Sequence, residues 1–457
     1  MSTGLAGEVR RLALPAILHS LLQTLVFVVD RIMLGRHGEA SLAAMQIGGA
    51  LEWSIWSVFT AFEVGTIARV GRYVGAGDRA GARRVARLSL AIALAIGILL
   101  ALATPLVLAA LPYAGSRVSA EAMGEARAYL GVTIAASPLV FIAATSTAAL
   151  QAGGDTRTPL VIGILANVIH VALNRVLILG AFGIVPALGA RGAGISTGVT
   201  FAVEALAATL ALTNRSRPVC LRGDPGEVSG TAREELGMLV RVGAPAFLER
   251  LIYHVAFVMY ALLVTRLGDV AMAANQSLIS VESICFLSAD GFGVAAAALV
   301  AQKLGAGKPD EARRAAWIAA RYALIALTTF GVSALALRDV ILPAFSHDPS
   351  VIALGRSAMP VLTVAQPFMA TAIVLAQSLR GAGRTRSALS VSIVGAVFVR
   401  LTMTWLFAIV FGLGLVGVWM GSTTDWFVRA VVLAAMFRRA PAIGAEPSRD
   451  AEQAPVE

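Results

Sequence analysis

Three carboxylates lie inside long apolar stretches of this sequence, where an ionised side chain is costly and is a functional candidate by default. Asp30 lies in the first stretch, and Glu52 and Glu282 lie near the middle of two others. A carboxyl group removed from water can hold and release a proton near neutral pH. We therefore expect proton or cation coupling at these positions. The alternatives are an ion pair of Asp30 with Arg31 and, for each glutamate, a protonated structural side chain.

Another apolar stretch carries a single polar face, formed by Asn167, His170 and Asn174 at positions i, i+3 and i+7. Histidine titrates near neutral pH, so His170 is a candidate to share a coupling proton with Asp30. A buried neutral histidine bonded to asparagine is the alternative. The complete set predicted for cation or proton coupling is Asp30, Glu52, Glu282, His170 and Asn174.

A substrate-binding wall is predicted from side-chain types. Methionine and aromatic side chains suit promiscuous binding and organic cations. A polar seam runs along one stripe of the first helix from His19 through Gln23 to Asp30. The residues predicted to contact substrate are Gln23, Trp53, Trp56, Met259 and Met369. Positions that face lipid or neighbouring helices are the alternative for each of them.

The composition indicates which elements must position these residues. Of 457 residues, 58% are apolar and 14% are charged, and the net charge is +10. Soluble proteins of this length usually carry about 25% charged residues, which excludes a soluble or disordered protein. The apolar residues form runs long enough for membrane-spanning helices. The basic residues lie mainly in short segments between these runs, as in membrane proteins, and no aromatic-interleaved basic patch indicates nucleic-acid binding.

The runs predict an all-α polytopic membrane protein with twelve transmembrane helices. The predicted domains are a six-helix lobe over 1–213, a linker over 214–237, a second six-helix lobe over 238–438 and a disordered tail over 439–457. Lysine and arginine are concentrated in one set of alternate loops and at both ends of the chain. Such loops face the cytoplasm, so both termini are expected to be cytoplasmic, with the protein in the inner membrane.

The two halves resemble each other at a shift of about 230 residues, as internal repeats of transporters do. The matches are Pro15 with Pro245, "GEASLAAMQ" with "GDVAMAANQ", "VGAGDRAGARR" with "LGAGKPDEARR", and "QAGGDTRTP" with "LRGAGRTRSA". Because each repeat has an even number of spans, both lobes should share one membrane orientation. Secondary transporters place their substrate path between such repeats. A purely structural duplication is the alternative.

The motif "VVDRIMLGRHGEASLAA" resembles the first-helix signature of the multidrug and toxic compound extrusion (MATE) family. "QAGGDTRTP", "LRGAGRTR" and the twin "GAG…ARR" loops are similar to that family's cytoplasmic loops, and the resemblance covers roughly 10–438. "APAFLERL" and "GFGVAAAALVAQKLGAG" favour its DinF-like branch. The resemblance implies two six-helix lobes in a V-shaped arrangement. It also implies export of organic, often cationic compounds in exchange for H⁺ or Na⁺, with Asp30 as the first-helix acidic residue associated with coupling.

Three positions depart from the family pattern. Asn174 stands where some prokaryotic members have Asp, His170 where they have Asn, and Met369 where the sodium-dependent branch has an Asp in its tenth helix. Hard cations prefer anionic oxygen ligands, so these departures weaken a Na⁺ site and favour H⁺.

We therefore predict a secondary active antiporter that exports organic, cationic and amphipathic compounds in exchange for protons by alternating access. It should act as a monomer in the lipid bilayer on small organic substrates, with no cofactor and no nucleic acid. The first alternative is a flippase for lipid-linked or polysaccharide intermediates, for which Arg31, Arg175, Arg250 and Arg400 are candidate contacts. A Na⁺-coupled exporter is less favoured. No HExxH, GxSxG, paired-Asp or CxxC motif supports an enzyme, and Cys220 and Cys285 lack metal-ligand spacing.

Overall fold

A computed structural model describes residues 4–114, 119–181, 184–223 and 232–439, and these are almost entirely helical. The predicted tail falls outside them, except for its first residue, as do the central residues of the predicted linker. The helices of the first half are α1 (Leu5–His37), α2 (Glu39–Thr60), α3 (Glu63–Gly75), α4 (Arg79–Leu102), α5 (Thr104–Ala114), α6 (Ala120–Ala135), α7 (Ser137–Ala152), α8 (Arg157–Leu177) and α9 (Gly189–Ala211).

The second half begins with α10 and repeats the same plan. Its helices are α10 (Ala232–Thr265), α11 (Asp269–Gly305), α12 (Pro309–Ala336), α13 (Arg338–Ile341), α14 (Pro349–Gly381), α15 (Thr385–Ile393), α16 (Arg400–Trp405) and α17 (Gly414–Arg439). A 3₁₀ turn at Leu342–Ala344 follows α13. Two π-helical turns, Val394–Val399 and Leu406–Val410, flank α16 and complete one continuous span.

Each of the twelve predicted spans coincides with one helix or with a run of consecutive helical segments. Eight described helices are long and apolar enough to cross a membrane, or nine if the bent pair α6 and α7 is counted as one span. That pair bends by 51° next to Pro138, whose ring cannot continue the hydrogen-bond ladder of the preceding helix. Several helices extend past the apolar runs because their ends are capped in polar loops, as where Asp78 accepts a bond from the Gly81 amide.

The start of α1 belongs to the core of the second lobe, which differs from the predicted division at residue 213. Val9, Leu12 and Ala13 are buried in one apolar cluster with residues of α11, α12, α14 and α17. Further along, Leu34 packs in the separate core of the first lobe. The first helix therefore connects both lobes, and a change in its shape can be transmitted to either one.

The two lobes cross most closely at two glycines that match each other in the repeat. Gly75 of α3 lies against the backbone of Gln302, and Gly305 of α11 lies against the backbone of Arg72, leaving no room for a Cβ atom at either glycine. Small residues allow membrane helices to approach this closely. The reciprocal contact places the repeat axis between α3 and α11.

Polar contacts hold the lobes together at the end of the bundle that carries the loops 76–78, 153–156, 306–308 and 382–384, which we call the basic end. Glu235 of α10 is bonded to Arg69 at 3.0 Å and to the Tyr73 hydroxyl, and lies 3.6 Å from Arg84. The amide of Gln302 donates to the Ala152 carbonyl at 2.7 Å. These contacts close the space between the lobes at the basic end.

Candidate functional site

The first lobe contains a buried polar centre formed by α1, α8 and α9. The Asp30 Oδ1 atom lies 2.6 Å from His170 Nε2 and 2.5 Å from Asn174 Nδ2, and the two nitrogens are 2.9 Å apart. The side chains of Asp30 and His170 are 1% and 0% exposed. The structure therefore brings together three of the five residues predicted for coupling. His170 and Asn174 share one face of α8 because they are four residues apart.

Hydrogen bonding around His170 favours one of its two tautomers. When the Thr200 hydroxyl donates to the Ser196 carbonyl at 2.7 Å, its oxygen can accept from His170 Nδ1, which lies 3.1 Å away. A neutral histidine with its proton on Nδ1 has only a lone pair on Nε2. Since Nε2 faces the oxygen of Asp30, this contact is favourable when one further proton lies between the two groups, on the imidazole or on the carboxyl.

Glu52 is also fully buried in the first lobe, on α2. The Tyr129 hydroxyl donates to its Oε2 at 2.5 Å, while Oε1 has no hydrogen-bond partner. Asp30 lies close enough to interact electrostatically with Glu52. Two neighbouring carboxyl groups in a dry site do not readily ionise together. The first lobe thus has a second buried carboxyl group close to the Asp30 centre.

The second lobe contains a different buried centre, which sequence reasoning missed. Asp425 of α17 is fully buried and is bonded to Arg400 at 2.8 Å and to both Nε and Nη2 of Arg429 at 2.6 Å. Both guanidinium groups lie over the ring of Trp426, at 5.2 and 4.8 Å from its centroid. Asp425 and Arg429 could have been found from sequence, because they are isolated charges four residues apart inside the last apolar run.

The fifth residue predicted for coupling, Glu282, lies beside this second centre. It interacts electrostatically with Arg400 and Asp425, and its Oε1 atom has no hydrogen-bond partner. Glu52 and Glu282 are equivalent in the repeat, yet the first is near a titratable pair and the second near permanent cations. The structure therefore does not bring the five predicted residues into one site.

The two centres occupy equivalent places in the repeat. At a shift of 230 residues, Asp30 corresponds to Tyr260, His170 to Arg400, and Asn174 to Thr404. The last helix of each half, α9 or α17, is related to the other by a shift of 225 residues. Gly192 of α9 lies against the backbone of Leu177, and Gly417 of α17 lies in the same way against the backbone of Phe407. By that shift Thr200 corresponds to Asp425, and Glu204 to Arg429.

The predicted substrate residues are dispersed. Gln23, Trp53 and Met259 are exposed on the surface of the helices. Trp56 is buried, donates to the Ser137 hydroxyl at 3.3 Å and packs edge-on against Phe201. Met369 requires a correction, because it is 0% exposed within the core of the second lobe and faces no open wall in this conformation.

One cavity lies at the lobe interface, and another lies within the second lobe. One, of about 500 Å³ including space open to solvent, is largely apolar and is lined by aromatic rings that include Phe59, Phe62 and Phe141, together with Glu63. The other, of about 770 Å³ on the same basis, lies in the second lobe and is lined by arginines, carboxylates and aromatic rings. Within the described residues, no cluster of three or more His, Cys, Asp or Glu side chains could hold a metal ion.

Comparisons with known proteins agree with this architecture. The MatE family model matches residues 15–176 and again 245–406, two segments separated by the repeat shift. "Multidrug resistance protein PmpM" of Pseudomonas aeruginosa is 30% identical over 430 residues, covering 92% of this chain and 84% of that protein. "Probable multidrug resistance protein NorM" of Thermotoga maritima is 27% identical over 431 residues, covering 93% and 90%.

A solved structure described as the outward-facing conformation of a multidrug resistance MATE family transporter superposes with a TM-score of 0.87. It is 21% identical and covers 95% of this chain and 96% of that one. The prediction of twelve helices in two lobes is confirmed. Because the family model matches most of the chain in two repeats, this protein belongs to the MatE family of membrane transporters.

Proposed function

We propose that the protein is a secondary active antiporter that exports organic compounds in exchange for protons. The observation that carries this proposal is the Asp30–His170 contact, whose geometry suits one shared proton in a dry site. Its multidrug resistance relatives support organic compounds as the exported class. A cavity lined by phenylalanine rings and Glu63 supports substrates that are apolar and cationic.

Protonation at this contact can bias the arrangement of the lobes. Without the shared proton, the Asp30 carboxylate faces the lone pair of His170 Nε2, and the contact becomes repulsive. The first helix must then move relative to α8, and it is also packed in the second lobe through Val9 and Leu12. A proton can shift the conformational equilibrium only by its different affinity for the two states, and this contact supplies such a difference.

The immediate neighbours of Asp30 favour protons over sodium. Its Oδ1 atom is contacted by nitrogen atoms of His170 and Asn174. A sodium ion needs several oxygen ligands, and the nearest neighbours of this carboxylate oxygen are nitrogen atoms instead. We therefore propose H⁺ as the coupling ion, with no further cofactor.

The flippase alternative has less support. It needs several basic side chains around one cavity to hold a diphosphate. Of the four candidate arginines, Arg250 alone lines the cavity of the second lobe, and Arg400 is buried against Asp425. Arg175 instead donates to the Gly180 carbonyl near the end of α8.

We further propose that the basic end faces the cytoplasm, which places both termini there, in the inner membrane. The excess of arginine in loops at this end supports the assignment. The closed contacts around Glu235 would then block the cytoplasmic side, leaving access from outside. One chain contains both lobes, so we propose that the monomer is the working unit.

Purified protein in proteoliposomes tests the proton coupling. A pH gradient or a Na⁺ gradient is imposed separately, and efflux of a cationic dye is followed. The wild type is expected to respond to the pH gradient only. The variant Asp30→Asn should lose gradient-driven efflux, because an amide cannot exchange a proton with His170. The variant Asp269→Asn makes the same change at an exposed helix start and should transport normally. Undiminished pH-driven efflux in Asp30→Asn would overturn the proposal.

A further inference from the structure

The larger cavity of the second lobe lies between α10, α11, α14, α15 and α17. Its charged lining consists of three arginines and two carboxylates, namely Arg250, Arg380, Arg429, Glu249 and Asp290. Almost all of these charges already have a partner. Glu249 accepts bonds from Arg380 at 2.5 Å and from the Ser392 hydroxyl at 2.5 Å.

The other two side chains differ from each other. Asp290 accepts a bond from the neutral Gln377 amide at 2.7 Å, so its hydrogen bonding is satisfied but its charge is not paired with a cation among the described residues. Arg429 makes two bonds to Asp425, which lies behind the cavity wall. The ion pairs leave Glu249, Arg380 and Arg429 little capacity to bind a charged group of a ligand.

Arg250 is the exception. It lines the cavity, and its guanidinium group makes no hydrogen bond or ion pair with any residue that the structure describes. The ionisable groups that interact with it electrostatically are Glu63 of α3, its chain neighbour Glu249 and His254 one turn away. Of these, Glu249 is neutralised by Arg380. The cavity therefore contains one cation, near Glu63, whose planar donor group makes no hydrogen bond within the described residues.

Aromatic rings stand beside this cation. Tyr253, Phe286 and Trp426 line the same cavity as Arg250. A guanidinium group matches a carboxylate with two parallel hydrogen bonds, and aromatic faces stabilise a flat apolar ring. A single unused cation suits a monoanion, whereas a phosphate dianion or a diphosphate would require more.

We propose that this cavity binds the carboxylate of an aromatic acid through Arg250, with the ring of the ligand against Tyr253 and Phe286. The inference deepens the proposed export function and rests on it, because it adds aromatic acids and zwitterions to the cationic substrates. Arg250 would then be a specificity-determining residue, which distinguishes ligands with a carboxylate from those without one.

Calorimetric titration of the full chain in lipid nanodiscs tests this site with 2-naphthoate as the probe. Its methyl ester serves as the matched uncharged ligand. The wild type should bind the acid more tightly than the ester. Arg250→Gln should weaken acid binding by about ten- to a hundredfold and leave ester binding unchanged, because hydrogen bonds to a charged partner are lost. Arg250→Lys should lie between them, since it keeps the charge but not the paired donors.

Two further variants keep the test decisive. Arg266→Gln removes an exposed arginine just beyond the end of the same helix and should bind both ligands as the wild type does. Phe286→Ala should weaken acid and ester by the same factor of about two to ten, which reports the ring contact even if Arg250→Gln cannot be purified. Equal acid affinity in the wild type and Arg250→Gln, or equal wild-type affinity for acid and ester, would overturn the proposal.

The binding experiment uses no ion gradient, so its outcome is separate from that of proton coupling. Asp30→Asn should bind 2-naphthoate normally, even though it is expected to lose pH-driven efflux. Selective loss of acid binding in Arg250→Gln would support the carboxylate site whichever ion drives transport. If the wild type shows pH-driven efflux but no preference for the acid over the ester, the proposed carboxylate site is wrong, and the proposed antiport is unaffected.

Discussion

In the first lobe His170 faces Asp30 across 2.6 Å, and at the equivalent position of the second lobe Arg400 faces Asp425 across 2.8 Å. Both contacts are buried, but the two carboxylates come from helices that the repeat does not relate, α1 and α17, because the counterpart of Asp425 is Thr200. The two cations differ in what they can do, because an imidazole can give up its proton near neutral pH and a guanidinium cannot. The proposed proton exchange is therefore chemically suited to the first centre, whereas the second centre contains arginines, whose charge is fixed.

This difference shows how a duplicated scaffold can assign separate roles to equivalent positions. The fixed centre has an extra cation, Arg429, where the first lobe has Glu204, and π-helical turns precede and follow the short helix that begins at Arg400. Such turns adjust the direction of a side chain within a helix. We expect the second centre to hold its lobe in one shape, so that motion is controlled from the first.

The largest effect is expected from removing the central anion of the fixed centre. Asp425→Asn leaves Arg400 and Arg429 buried without a counter-charge, and breaking a buried ion pair in this way costs about 3–5 kcal/mol. We therefore expect a large fall in the midpoint of thermal unfolding in detergent, or loss of folded protein. Asp30→Asn should change the midpoint far less, because His170 can remain neutral beside an amide. Similar losses in both variants would contradict the distinction between the centres.

A second comparison exchanges the two equivalent cations for the same neutral residue. His170→Gln can still donate to Asp30 but cannot carry the second proton. The ratio of efflux rates at pH 6 and pH 8, measured in proteoliposomes, should therefore move towards one. Arg400→Gln should lower thermal stability while the pH ratio stays at the wild-type value. If Arg400→Gln flattens the pH profile as much as His170→Gln does, both lobes take part in proton coupling.

The paired glutamates give a third and smaller comparison. Glu52 is fully buried near Asp30, whereas Glu282 is partly exposed near Arg400. Glu52→Gln should reduce pH-driven efflux several-fold, because it removes a group that can respond to the proton at Asp30. Glu282→Gln should transport at close to the wild-type rate. A larger transport defect in Glu282→Gln than in Glu52→Gln would reverse the assignment of roles.

Much of the fold could be predicted because each membrane helix corresponds to a long apolar run between charged loops in the sequence. The repeated loop glycines also have a direct structural meaning. Gly77 and Gly307 both adopt left-handed backbone conformations, with φ of 76° and 71°, which only glycine adopts without strain. The position of α1 across both lobes could not be predicted, since the apolar pattern shows that Val9 and Leu12 are buried but not against which partner.

The candidate site was partly predictable for the same reason. An isolated charge in an apolar run identifies a buried polar group, and helical spacing places His170 and Asn174 on one face. Neither signal shows which helices meet, so the contact of Asp30 with His170 needed the structure. The buried Asp425 was missed, although it carries the same signal as Asp30, an isolated carboxylate inside an apolar run. The burial of Met369 could not be predicted, because side-chain type alone does not distinguish a cavity wall from a packed core.

The smallest expected effect concerns two tyrosines, one in each lobe. Tyr129 donates to Glu52 at 2.5 Å, and Tyr260 donates to the Asn275 amide oxygen at 3.2 Å. A hydrogen bond contributes about 0.5–1.5 kcal/mol net, and bonds to an ionisable partner lie at or above the upper end of that range. Tyr129→Phe should therefore lower the unfolding midpoint more than Tyr260→Phe, as measured by thermal unfolding of both variants in the same detergent. A greater fall in the unfolding midpoint of Tyr260→Phe would indicate that the Tyr129 bond to Glu52 contributes little to stability. The first-lobe centre would then be held by the contacts of Asp30 with α8 alone.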